Sequence, residues 1–261
     1  ESTHVIASKL IIQGVFMSHE ELDDPRRRWL VQAIASGLLT AGLPATNALA
    51  ESFFGNVPSK LPVGRSVYRI SGQATVNGKD VTPETIIKPG DALATDQDSE
   101  LIFAVNGSHA MILRGGSNLI LESEQSSAGS WFINGLRLLT GKLLSVSRDS
   151  RMRVSTITAT LGIRGTGFYV ESDPEQTYFC TCYGTTDIVA NDDPTSKTTV
   201  TATHHDRPLY IVKDGGAGKN IRNAPFINHT DQELTLIEAL VGRTTPFVFE
   251  NDAYSSPRRG Y

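Results

Sequence analysis

The sequence predicts an all-β fold, a sandwich or β-roll of short antiparallel strands with one C-terminal α-helix. Three observations predict it. Short apolar runs recur at close intervals from Val63 onward, and turn residues bound them. No helical period lies between those runs. One complete helix-start signal stands near the C-terminus, at Thr230-Asp231-Gln232-Glu233.

The strands follow in order. Val67–Ile70 stops at Ser71-Gly72, and Ala74–Val76 stops at Asn77-Gly78, a strong hairpin signal. Thr85–Ile87 reads as a further strand before the turn Lys88-Pro89-Gly90-Asp91. Leu101–Val105 meets Asn106-Gly107, Met111–Leu113 meets Gly115-Gly116, and Leu119–Leu121 follows. Trp131–Leu139 suits either a short helix or a strand. Lys142–Val146, Arg153–Ile157 and the glycine-bearing run Thr160–Val170 read as strands. Tyr178–Tyr183 and Asp187–Val189 read as a hairpin around Gly184, and Thr198–Thr203 as a Thr/Val strand. A capping box at Thr230 and Glu233 then opens a helix near 231–241. Leu234, Ile237, Leu240 and Val241 recur at helical spacing, and Gly242 ends it.

The chain of 261 residues is 39% hydrophobic and 20% charged, the composition of a folded globular protein. Its net charge of −4 argues against nucleic-acid binding, which needs a surplus of Lys and Arg. Two cysteines are too few for a disulfide scaffold. No G-x-S-x-G elbow is present, and Gly215–Asn220 lacks the spacing of a phosphate loop. Asp192-Asp193 lies in a turn-rich stretch and reads as solvated. No enzyme is expected.

The N-terminal part reads as an address. Met17 looks like the initiator, with residues 1–16 an upstream extension or gene-calling artefact. Residues 17–50 hold Arg26, Arg27 and Arg28, a short apolar stretch Val31–Leu43, and the small-x-small site Ala48-Leu49-Ala50. That order is a secretory signal, too short for a membrane span. The twin arginines with Trp29-Leu30 resemble a twin-arginine (Tat) export signal. Residues 51–62 read as a linker, and a periplasmic or secreted location is expected.

The run over 63–175 resembles the FecR domain. Gly72–Gly78 is similar to the family's opening pattern, and Ile87–Thr95, with Gly90 and Asp91, to its Gly-Asp step. Ser99–Leu113, with Gly107, is similar to its strand–turn–strand repeat, with Asn106 in place of the usual Asp. Gly141-Lys142-Leu143 matches as well. Thr156–Val170, with Arg164, Gly165 and Thr166, carries the most specific piece. The resemblance implies a periplasmic β-domain that relays a signal from an outer-membrane transporter to a sigma factor in iron uptake. No cytoplasmic helical segment is recognisable, and 176–261 reads as a C-terminal β extension with the helix. A soluble interaction, scaffold or accessory role beside another envelope protein is therefore expected. Read for themselves, the glycines permit tight backbone packing, and Arg164 is a surface arginine or half of a local ion pair.

One cluster could carry chemistry. On a strand, Cys180 and Cys182 point to the same face. With imidazoles from His204, His205 and His229 they would suit a soft or borderline metal, zinc or copper. On that geometry His204 and His205 point to opposite faces, so one of them joins. Buried core thiols and a disulfide are the other readings of the pair. Three roles stand: an exported FecR-like interaction or regulatory module, a periplasmic metal-binding protein, and a structural component of an envelope assembly.

Overall fold

Hairpin chemistry sets the first part of the chain. Asn77 and Asn106 both take left-handed backbone conformations, φ 52° each, and glycine follows each of them. Asn77-Gly78 is the two-residue turn whose twist matches antiparallel strands, and Asn106-Gly107 is the centre of a turn that the Ser108 N–H closes on the Val105 carbonyl. A computed structural model describes residues 59–247, the side chains of 148–150 excepted. The expected export signal at 17–50, with Arg26, Arg27, Ala48 and Ala50, lies outside the described residues. So do the stretch 1–16 and most of the 51–62 linker.

Thirteen strands are described: β1 (Val67–Ser71), β2 (Ala74–Val76), β3 (Lys79–Asp80), β4 (Ala92–Thr95), β5 (Glu100–Val105), β6 (His109–Leu113), β7 (Asn118–Gln125), β8 (Trp131–Ser155), β9 (Ala159–Ser172), β10 (Gln176–Ala190), β11 (Lys197–Ala202), β12 (Leu209–Val212) and β13 (Ile221–Asn223). One helix, α1 (Asp231–Leu240), follows. The fold is all-β with a C-terminal helix, as the sequence predicts. The main path of the sheet is β13-β12-β10-β9-β8-β7-β4-β2-β3. β11 adds to β10, and β1, β5 and β6 join in turn at β8. Every pairing is antiparallel.

The central strands are apolar on both faces. Leu101, Phe103 and Val105 of β5 enter one cluster, with Met111, Leu113, Leu143, Phe168, Val170 and Phe179. Ile102 and Ala104 enter the other, with Ile112, Leu144, Val146, Tyr169, Tyr178, Cys180 and Cys182. The helix supplies Leu234, Ile237 and Leu240 to this second cluster. Each such fully buried side chain contributes about 2 kcal/mol by removal from water. Burial on both faces explains why these strands read as continuous apolar runs rather than alternating ones.

Several sequence expectations change. Trp131–Leu139 is strand, the opening of the 25-residue β8. Thr85–Ile87 is not a strand. Thr85 donates its N–H to the Thr82 carbonyl, and its hydroxyl accepts from the Thr82 N–H, so the segment bonds locally. No hairpin forms at Gly184, because β10 runs straight through it. Gly184 takes φ +91°, and the register against β9 shifts on both sides of Tyr183. The glycine makes a bulge in a strand held on both edges. Gly167 faces that bulge, where an added Cβ would lie 2.5 Å from the Tyr183 ring.

The motif residues hold turns and register. The Asp91 carboxylate accepts from the Lys88 N–H and from Asn77 Nδ2, while Asn77 Oδ1 accepts from the Ala92 N–H. Gly90 takes φ +96° in that turn, and Gly107 completes the β5–β6 hairpin. Gly165 takes φ +59° beside the buried Thr166. Arg164 pairs with Asp187 at 2.8 Å, both about half exposed, which is the local ion pair. Such a surface pair contributes little.

Candidate metal centre

Cys180 and Cys182 lie on β10 and face α1, in the second apolar cluster. The sequence alternation is right for this pair. Both are buried free thiols, not a disulfide. Directly after β11 the chain turns at residues 203–205. The Asp206 carboxylate accepts from the Thr203 N–H at 2.6 Å and from the Thr203 hydroxyl at 3.0 Å, which fixes this turn. His205 donates its backbone N–H to the Cys182 carbonyl at 2.9 Å. His229 stands one residue before the helix cap Thr230. The loop before it is tied by Tyr178, whose hydroxyl donates to the Pro225 carbonyl and accepts from the Ile227 N–H.

Four donor atoms, from Cys180, Cys182, His205 and His229, lie within 4.8 Å of one another. His205 Nδ1 is 3.2 Å from His229 Nε2 and 3.5 Å from Cys180 Sγ. Two donor nitrogens around a tetrahedral zinc stand about 3.3 Å apart, and a nitrogen and a sulfur about 3.6 Å, from the usual bond lengths. The spacing fits such an ion.

The outer nitrogens decide the tautomers. His229 Nδ1 donates to the Ile227 carbonyl at 2.7 Å, which leaves Nε2 bare toward the cluster. His205 Nε2 donates to Asp231 Oδ1 at 2.9 Å, which turns Nδ1 inward. Two inward nitrogens and a thiol then need a positive species between them, a proton or a metal ion. A carboxylate or carbonyl behind each imidazole is the outer support of a histidine metal ligand.

Without metal, a proton fills that role. Burial raises the Cys180 thiol, yet hydrogen bonds from Cys182, His205 and His229 outweigh it and hold the group well below the ordinary thiol range. Burial pushes Cys182 well up, with the Cys180 thiolate adding to it. Burial works against charge on His205, but the Asp231 hydrogen bond and the Cys180 thiolate raise it to about 9. Burial also opposes the Asp231 charge, and the His205 and His204 hydrogen bonds overcome it, keeping the carboxyl below its usual range. A metal ion bound here would have to displace the His205 and Cys182 protons.

His204 does not join the four. The expected strand would send His204 and His205 to opposite faces. In the turn, His205 takes φ +54°, and both imidazoles reach one carboxylate. His204 Nε2 lies 2.9 Å from Asp231 Oδ2. Asp231 is the functional residue that sequence reasoning misses. Its only signal is its place inside the capping box, which gives it a purely helical role. Asn228 also takes φ +62°, beside His229. Left-handed conformations at non-glycine residues cost roughly 1 kcal/mol or more and gather at functional sites.

Aromatic rings close the site. Tyr169 stacks on His229 at 4.5 Å, and Phe226 packs on His205 and His229 at 4.3 and 4.6 Å. Cys180, His205 and Asp231 also stand in the order of a nucleophile, its base and an orienting acid. The Cys180 sulfur is fully buried.

No family model matches the chain, and no curated protein matches it. Among solved structures, two crystal structures of a proposed anti-sigma factor from Parabacteroides distasonis ATCC 8503 are similar, with TM-scores of 0.40 and 0.39 at 14% and 12% identity. Each match covers 55% of this chain and 62% of the other, so it spans less than two thirds of those proteins. A likeness this distant assigns neither family nor function.

Proposed function

We propose that the chain is an exported, non-catalytic module of the cell envelope that binds one zinc or copper(I) ion at Cys180, Cys182, His205 and His229. The convergence of four donors within 4.8 Å carries this reading. Two thiolates and two imidazoles suit a soft or borderline ion. Four protein ligands fill a tetrahedral set and leave no open position, as in a structural or sensing site rather than a catalytic one.

The ligands come from three separate places: β10, the turn after β11, and the segment entering α1. Binding therefore ties the helix to the sheet, and metal occupancy is coupled to docking of the C-terminal segment. A regulatory role follows, with the helix end as the responsive part and another envelope protein as its partner. The FecR-like motifs and the Tat-like signal support an envelope setting, and the motifs suggest iron-uptake signalling as the pathway. Among the described residues no helix is long and apolar enough to cross a membrane.

Elemental analysis of protein exported through its own signal tests the reading, beside a Cys180→Ser/Cys182→Ser double variant. About one zinc or copper per chain is expected, lost in the double variant. Cobalt(II) substitution should give the visible bands of a tetrahedral thiolate site. Metal-free protein that also refuses cobalt would overturn the proposal and return both cysteines to the apolar core.

A further inference from the structure

We propose that His204 and Asp231, with the outer nitrogen of His205, form a solvent-facing station through which the metal ion reaches the buried centre. This rests on the metal-centre reading above.

The need for a route comes from the burial of the centre. Cys180, Cys182 and His229 are each 0% exposed. Tyr169 stacks on His229, Phe226 packs on His205 and His229, and both cysteines lie in the apolar cluster that also holds Leu234 and Ile237. A hydrated cation does not cross such a wall, because it would shed its waters with nothing to replace them. It needs a line of polar donors, so that each lost water is exchanged for a protein atom.

One such line is present. His204 is 46% exposed at its side chain, Asp231 15%, His205 7% and His229 0%. Exposure falls step by step from solvent to the centre. The contacts are continuous along it. His204 Nε2 lies 2.9 Å from Asp231 Oδ2, and Asp231 Oδ1 lies 2.9 Å from His205 Nε2. The far nitrogen of the same His205 ring meets Cys180 and His229. His205 thus faces both compartments: Nε2 is bare while it holds the entering ion, with the ring proton on Nδ1, and Nε2 takes the proton back against Asp231 once the ion sits inward on Nδ1.

The outer three residues form a ligand set in their own right. One donor atom each from His204, His205 and Asp231 lies within 4.8 Å of the others. Two imidazoles and a carboxylate suit a borderline divalent cation and leave positions for water. That is what a transient, exchanging site needs. The inner site, with two thiolates and no open position, is the retaining one. Phe247 packs on the His204 ring at 4.4 Å and holds it over the carboxylate.

Rates separate this role from a structural one. Zinc ion alone is offered to metal-free full-length protein, and uptake is followed in time for the wild type and His204→Gln. The variant keeps a polar group near Asp231 at a half-exposed position and removes the imidazole. The expected result is uptake about tenfold slower at unchanged equilibrium affinity, because the variant loses the local concentrating effect of the station. Release must then slow by the same factor, since affinity is the ratio of the two rates. Wild-type uptake by His204→Gln would overturn the station while leaving the centre intact. So would a weaker affinity at unchanged uptake, which marks a merely supporting residue. Failure of the wild type to take up zinc would overturn the station, and refusal of copper(I) as well would overturn the centre.

Discussion

His109 on β6 is buried, and its Nδ1 has no hydrogen-bond partner among the described residues. Burial first, and then the nearby Arg243 charge, lower it from 6.5 to about 4. The unfolded chain takes up a proton as pH falls through 6.5, and the folded chain does so only near 4. Stability is therefore lost as pH falls between those values, by about 3 kcal/mol in all. His109→Leu should flatten the dependence of stability on pH in that window, measured by urea unfolding at several pH values. An unchanged slope would mean that another group carries it. The lowered carboxylates Asp206 and Asp231 act in a different window, below their ordinary range. His205 acts in the opposite sense and higher. Its contribution in metal-free protein is complete below 6.5 and is lost as pH rises toward 9. At this scale the sequence is legible for thiols and turn glycines. It is illegible for His109, because nothing in a strand of alternating residues says that both faces will be covered.

The helix is the element with the most at stake. Thr230 accepts the Glu233 N–H, and Glu233 Oε2 accepts the Thr230 N–H at 2.8 Å, so the capping box read from the sequence is present. Glu233 also binds the largely buried Arg114 at 2.7 Å, which fastens the helix start to the chain just after β6. Arg114 lies over the Tyr169 ring that stacks on His229. Cap, ion pair and ligand thus share one end of α1. Thr230→Ala should cost about 1 kcal/mol of stability in denaturant unfolding, and it should weaken metal binding as the entry to α1 loosens. Stability within error of the wild type would show that the ion pair and apolar burial hold that end alone. β12 and β13 carry too few residues to announce themselves, and they exist because β10 offers an edge for Leu209 and Tyr210 to pair with. The expected hairpin at Gly184 fails for the same kind of reason. β9 lies along the whole of β10 and keeps it extended, and the glycine is absorbed as a bulge.

On the scale of the whole molecule, two apolar clusters divide at the sheet; Cys180 and Cys182 belong to the helix side, and His229 stacks on Tyr169 of the same cluster. Loading the centre should therefore protect the segment from 203 to 240 against amide hydrogen exchange, while strands such as β4 and β7 change little. Protection spread evenly over the sheet would separate the metal from helix docking. The sequence by itself determined the all-β class, the Asn-Gly hairpins, the capped helix at 231–240 and the shared face of Cys180 and Cys182. Those features are set by backbone sterics and by hydrogen bonds between residues close in the chain. Tertiary structure alone decided which histidines meet the thiols, and that Asp231 stands behind one of them. The donors lie as far apart as Cys180 and His229. Only the path of the sheet and the left-handed turn at His205 bring them within bonding distance of a single ion.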